Sequence, residues 1–369
     1  MEKSSQLLSA PIIRNHSYGI DFLRGVLAIW VVVAHLVPWA HHVDNQFEND
    51  FLKKLSFMLI KVFQSAGETH PAVLGFIVLS GYCIHRSGAR GTHKFDLVKY
   101  AIRRSFRIYP VYLLAALLGV VLFFLSNEIS TAIAGSLTGT AVISLSCVLV
   151  KLVGLSAFIP SLHHCSFQGN APLTTVMVEI WLYIAYGFIV FLLQKGIPEG
   201  RIKTMVFMLY FISLIVTNFY PEIRGWWHNG SIFSFLIYWW IGAYFIRQNQ
   251  IEPMRLYMIL GAWITLTAVI IYLKIDSIFL TEIRKLLFCI LFGVIIKWLD
   301  DNRRWWHSLG RHIGSAGYSI YALHAPVLIY TLMAWKSPQL SLVVLLITSA
   351  VSYKFFEKPL TKLGRSMSH

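Results

Sequence analysis

The sequence predicts an all-α polytopic membrane protein with about ten transmembrane helices and one re-entrant or interfacial helix near residues 141–159. Three observations predict it. Apolar runs long enough to cross a bilayer recur along the whole chain. Charged residues make up 13% of the chain, where a soluble domain carries about 25%, and the mean hydropathy is +0.62. Basic residues cluster in alternate connecting segments, the pattern that sets orientation by the positive-inside rule. The chain reads as a single membrane domain over residues 1–369. The net charge of +15 goes, in so apolar a chain, with lipid headgroups or an anionic ligand, so no nucleic-acid partner is expected.

Residues 1–18 are polar and mixed, without the apolar core of a signal peptide, and read as a cytoplasmic tail. The first span covers 19–39 and is followed by an outer loop, 40–56, with Asp44, Glu48 and Asp50. Span two covers 57–84, and its small Ser80 and Gly81 let a neighbouring helix or ligand approach the backbone. Residues 85–107 carry Arg86, Arg90, Lys94, Lys99, Arg103, Arg104 and Arg107 against Asp96, so they belong on the cytoplasmic side. Span three, 108–125, leaves that side. The next strong span, 173–193, is followed by Lys195, Arg201 and Lys203, so it must enter from outside. A full crossing by 141–159 would break this alternation, hence the re-entrant or interfacial expectation, with a cavity beside it. Spans then follow at 204–220, 231–247, 256–273, 284–299, 315–334 and 339–356, with a basic inner segment holding Arg303, Arg304 and Arg311 and a tail over 357–369. The cysteines, Cys83, Cys147, Cys165 and Cys289, show no paired spacing, so neither a disulfide framework nor a zinc motif is expected.

Ionisable residues inside spans are costly and mark candidate sites. Arg24 and His35 lie about 16 Å apart along one helix face, which sets His35 near the bilayer midplane if Arg24 marks the boundary. A neutral imidazole there can move a proton or carry an acyl group; the plainer alternative is a hydrogen-bonded core histidine. The segment Arg103-Arg104-Ser105-Phe106-Arg107-Ile108-Tyr109-Pro110 offers guanidinium forks for phosphates, against the alternative of a topology signal at lipid headgroups. Glu179 sits about one and a half turns into its span, as an acid/base group, a substrate anchor or a structural ion pair. Tyr318, Tyr321 and His324 recur every three residues as a polar strip before Pro326; alone, such a histidine is most often a structural hydrogen-bonder. His41-His42 and His163-His164-Cys165 match no zinc spacing, and no metal is expected.

Taken in order, these motifs resemble the acyltransferase-3 family of integral membrane O-acyltransferases, from about residue 15 to 362. The arginine and histidine of its first span match Arg24 and His35. Its SGF-like end of span two matches Ser80-Gly81-Tyr82. Its RRxxRIxPxY segment matches Arg103 to Tyr112, its SYSxYxxHxP motif matches Gly317 to Pro326 with Gly317 for the first serine, and its FExP matches Phe356, Glu357 and Pro359. The LWSLxxE motif is altered, with Thr174, Thr175 and Val176 before an in-register Glu179. The resemblance implies acyl transfer, usually acetyl from acetyl-CoA, to a hydroxyl of an extracytoplasmic glycan or glycolipid. Catalytic roles then fall on His35, Arg24, Glu179 and His324, and donor binding on Arg103, Arg104, Arg107 and Tyr109. It also implies a multi-pass protein of the bacterial inner membrane, both termini cytoplasmic, with any esterase-like partner a separate extracytoplasmic protein. The competing class is a proton-coupled transporter or glycolipid permease, which midplane histidines and a buried glutamate also suit.

Overall fold

A computed structural model describes residues 17–43, 54, 68–88, 95–125, 145–163, 165, 170–245, 253–301, 310 and 314–368. All regular structure among them is helical. In chain order the helices are α1 (Tyr18–Val43), α2 (Pro71–Gly88), α3 (Leu97–Leu125), α4 (Leu145–Val153), α5 (Leu173–Gln194), α6 (Glu199–Phe219) and α7 (Arg224–Asn229). They continue with α8 (Ile232–Phe245), α9 (Pro253–Leu273), α10 (Ile278–Asp301), α11 (Gly317–Trp335), α12 (Pro338–Ser352) and α13 (Lys358–Ser366). Six helical stretches are long and apolar enough to cross a membrane: Tyr18–Ala40, Leu97–Leu122, Leu173–Gln194, Glu199–Phe219, Met254–Leu273 and Pro338–Ser366. The protein is a multi-pass membrane protein. Of the remaining helices, α2 and α8 are short over their described lengths, and α10 carries Glu282, Arg284 and Lys285 near its start.

Helices α1, α2, α8, α10 and α11 pack around one another, and α3 and α5 close the side where the candidate site lies. Large side chains fill the centre, with Trp227, Trp239, Tyr238 and Phe235 fully buried. Two crossings need glycine. A Cβ on Gly242 of α8 would meet the Val78 carbonyl oxygen of α2 at 1.9 Å, and one on Gly81 of α2 would meet the Trp239 carbonyl oxygen of α8 at 2.0 Å. The small residues at the end of span two thus admit α8, backbone against backbone. Gly314 makes a similar approach to the Asp21 carbonyl, holding the entry of α11 against α1.

Two segments are shown to be regular, and one sequence expectation is corrected. The basic segment is helical over residues 97–107, the first turns of α3, and the Asp96 carboxylate accepts the Lys99 N–H at 3.0 Å and caps the helix. The stretch after 357 is helical over Lys358–Ser366. Pro359 has no N–H to continue an α-ladder, a π-turn forms at Tyr353–Glu357, and α13 then packs on α3 with Gly364 against Phe106. The cysteines are not all free. Cys147 and Cys165 form a disulfide, because short helical turns at Leu155–Ala157 and Pro160–Leu162 double the chain back on α4 and bring their Cα atoms to 5.1 Å.

The described part of 141–159 is the nine-residue α4 followed by those turns. At about 14 Å, α4 falls well short of a roughly 30 Å core. It is fastened by three hydrogen bonds to its carbonyls and those of the next turn: Tyr112 Oη to Lys151, Trp181 Nε1 to Val153 and Trp226 Nε1 to Ser156. The acidic loop residues Asp44, Glu48 and Asp50, the first half of span two, Arg90, Lys94, Arg303, Arg304, Arg311 and His164 lie outside the described residues. So do the side chains of His41 and His42.

Candidate active site

The site is a cleft between α1, α2, α3, α5 and α11. Arg24, Arg104 and Arg107 all line it. Arg24 donates to Asp21 Oδ1 at 2.8 Å, one turn back on α1, and to Cys83 Sγ at 3.5 Å. Arg104 lies over the Tyr183 ring, 5.3 Å from its centroid, and near Tyr100. Arg107, one turn further along α3, forms no ion pair among the described residues, and its nearest electrostatic influences include Arg24 and Arg104. Three guanidinium groups therefore converge, with Glu179 the one carboxylate in the lining. Such a surface favours an anionic ligand, and guanidinium forks suit phosphates.

Glu179 is held by a relay. The Ser80 hydroxyl donates to Tyr183 Oη at 3.0 Å, and Tyr183 Oη donates to Glu179 Oε1. The i, i+4 spacing of Glu179 and Tyr183 on α5 sets both on one face, while Ser80 arrives from α2. On α11, Tyr318 and Tyr321 line the cleft; Tyr318 donates to the Ile108 carbonyl at 3.1 Å, and Tyr321 Oη meets Thr175 Oγ1. Thr175, which stands in the altered LWSLxxE motif, thus has a defined contact with the polar strip of α11. Arg103 is exposed, and neither it nor Tyr109, which packs on Tyr112, belongs to the lining.

Beyond Tyr321 lies a pair of histidines. The Tyr321 and His324 rings are 5.8 Å apart, and the His324 ring is 5.0 Å from that of His35. His35 Nδ1 meets the Val31 carbonyl at 2.9 Å and His324 Nδ1 the Tyr321 carbonyl at 2.6 Å. A carbonyl accepts only, so each Nδ1 carries the proton and each Nε2 presents a lone pair. His324 is fully buried and its Nε2 has no partner among the described residues. The two histidines, 289 residues apart in sequence, are thus brought to one place by the α1–α11 packing that Gly314 and Gly317 allow.

Sequence reasoning missed several polar residues around this site. Glu357 accepts from Ser319 Oγ at 2.6 Å and interacts with Arg107 and Arg24, so the FExP end supports the arginines from below. Fully buried Asn170 donates to the carbonyls of Ala115 at 3.3 Å and Ala322 at 2.9 Å, tying α3 and α11 to the start of α5. Away from the cleft, Glu282 on α10 accepts from Lys285 at 2.6 Å, from Tyr210 at 2.8 Å and from Tyr238. Lys285 also lies 3.0 Å from His228 Nδ1, and burial, with the Lys285 ammonium beside it, pushes the His228 imidazole down to about 3, so it is neutral.

Among the described residues, a helical multi-pass arrangement sets a cleft lined by three arginines beside Tyr321, whose ring neighbours His324 and, through it, His35. The family model described as an acyltransferase domain (acyltransferase-3) matches residues 17–353, and the chain belongs to that family of membrane acyltransferases. No curated protein and no solved structure matches it.

Proposed function

We propose that this acyltransferase moves a small acyl group, acetyl first among candidates, from cytoplasmic acyl-CoA to a carbohydrate hydroxyl. The acceptor is an extracytoplasmic or lipid-linked glycan such as a cell-envelope polysaccharide or lipopolysaccharide. The observation that carries the reading is the junction of two chemistries: the guanidinium cleft of Arg24, Arg104 and Arg107, and the His35–His324 pair beyond Tyr321. The first suits the phosphates of CoA, the second suits proton transfer at a thioester.

In this reading Arg104 and Arg107 hold the donor's phosphates and Arg24, oriented by Asp21, holds its inner end. His35 Nε2 takes the proton of the acceptor hydroxyl as its oxygen attacks the thioester carbonyl. The tetrahedral intermediate collapses, the C–S bond breaks, an ester C–O bond remains, and the proton passes from His35 to the CoA thiolate. Glu179, held by Tyr183, and His324 steady the acceptor. The positive-inside pattern supports a ten-span arrangement in a bacterial inner membrane with both termini cytoplasmic. The Cys147–Cys165 disulfide supports an oxidising, outer location for residues 145–165.

The test is binding and slow hydrolysis of radiolabelled acetyl-CoA by the protein in nanodiscs, comparing wild type, His35→Ala and Arg104→Ala/Arg107→Ala. Saturable binding that the arginine variant loses, with turnover that the histidine variant loses, is expected. A well-folded wild type with no affinity for acyl-CoA donors would overturn the donor assignment and bring forward the proton-coupled transporter.

A further inference from the structure

A third histidine, His70, stands at the head of α2. His70 is the cap of α2: its carbonyl accepts the N–H of Val73 at 2.9 Å, and its ring Nδ1 accepts the N–H of Ala72 at 3.2 Å. It packs edge-on against Trp30 of α1, ring centroids 5.6 Å apart, and interacts electrostatically with both His35 and His324. Sequence reading passed over it, because His70 precedes Pro71 at what looked like the interior of a longer span.

The three rings differ in tautomer. An amide N–H only donates, so His70 Nδ1 must present its lone pair and the proton must sit on Nε2. His35 and His324 have the opposite arrangement, as their Nδ1 atoms face carbonyls. The cluster therefore offers acceptors at His35 Nε2 and His324 Nε2 and a donor at His70 Nε2–H. His70 Nε2 is buried and, like His324 Nε2, has no partner among the described residues. A buried N–H without an acceptor costs about 1–3 kcal/mol, so such a group is an unsatisfied half of an interaction. Among the described residues no three His, Cys, Asp or Glu side chains are grouped to hold a metal ion.

We propose that His70 Nε2–H is the oxyanion donor of the transfer, hydrogen-bonding the thioester carbonyl oxygen as it gains charge. The inference rests on the acyl-transfer reading above. The Ala72 N–H holds the ring neutral and aimed, because protonating Nδ1 would set two donors face to face. His35 then serves as base and His70 as electrophile. The hydroxyl proton goes to His35 Nε2, the carbonyl π-electrons go to the oxygen bonded by His70, and they return when the C–S bond breaks. A preorganised donor in a water-poor site is worth about 100- to 1,000-fold in rate.

Full-length protein in nanodiscs tests this, with radiolabelled acetyl-CoA as donor and water as acceptor. His70→Asn is the decisive variant, since an Asn side chain still caps α2 by accepting the Ala72 N–H but has no atom at Nε2. Its kcat should fall about 100-fold while the dissociation constant for acetyl-CoA stays within about twofold of wild type. His70→Gln, which returns an N–H to the Nε2 position, should recover about tenfold of that loss. Independently of turnover, ¹⁵N-histidine NMR should find His70 protonated at Nε2 and His35 and His324 at Nδ1. A folded His70→Asn with wild-type kcat, or a His70 ring protonated at Nδ1, would overturn the proposal while leaving the acyltransferase reading intact. A wild type that neither binds nor turns over acetyl-CoA removes both.

Discussion

The chemistry of single residues here depends on which nitrogen or oxygen is already engaged. His35 is on an apolar helix, yet its Nδ1 is committed to Val31, so Nε2 is the nitrogen left for substrate. His35→Gln should cut acetyl transfer by about 100-fold or more, with acetyl-CoA binding retained by equilibrium dialysis. Equal turnover in the variant would remove His35 from the mechanism. Arg107 lines the cleft with Arg24 and Arg104 and, with Glu357 nearby, forms no direct ion pair among the described residues, so its guanidinium can still bond an anion. Arg107→Ala should weaken acetyl-CoA binding about 10- to 100-fold, from a charge-assisted bond worth roughly 1.5–3 kcal/mol. The same measurement on Arg103→Ala should show little change, because Arg103 points away from the cleft. If Arg103→Ala weakens the donor as much as Arg107→Ala, the bound phosphates lie elsewhere on α3.

Among the elements, α2 carries the most. Its N-terminal cap supplies His70, its middle supplies Ser80 to the Tyr183–Glu179 relay, and its Gly81 accepts α8 at backbone distance. Gly242→Leu forces α2 and α8 apart and should abolish accumulation of folded protein, read as loss of a monodisperse peak in detergent. Normal yield and melting would show that the crossing is not tight. Helix α10 makes a second kind of demand. Glu282, only 1% exposed, relies on Lys285, Tyr210 and Tyr238. Lys285→Met leaves that carboxylate without its cation and should cost about 3–5 kcal/mol, seen as a large fall in melting temperature. An unchanged melting temperature would mean the tyrosines suffice.

At the scale of the molecule, the short segment that begins with α4 is fastened to α3, α5 and α7 by Tyr112, Trp181 and Trp226. Its disulfide bridges 18 residues, a closure worth about 3 kcal/mol in a chain-entropy account. If this segment faces the outside, an impermeant reductant added to intact cells should make Cys147 and Cys165 reactive to a maleimide gel-shift reagent. Both cysteines reacting before reduction would contradict the bridge.

The sequence by itself determined the helical class, the membrane setting and the family, because those follow from hydropathy and from motifs that are local in the chain. Arg24, His35, Glu179 and His324 were each legible as costly ionisable groups within apolar helices, and Arg107 as part of a basic segment suited to phosphates. Only the tertiary structure decided which of them meet. The 5.0 Å approach of His35 to His324, the exclusion of Arg103 from the cleft and the pairing of Cys147 with Cys165 depend on helix rotation and packing over long separations. His70 was hidden for the same reason: its tautomer follows from a helix-end hydrogen bond, and its ring neighbour, Trp30, comes from helix α1, which no local pattern in the chain records.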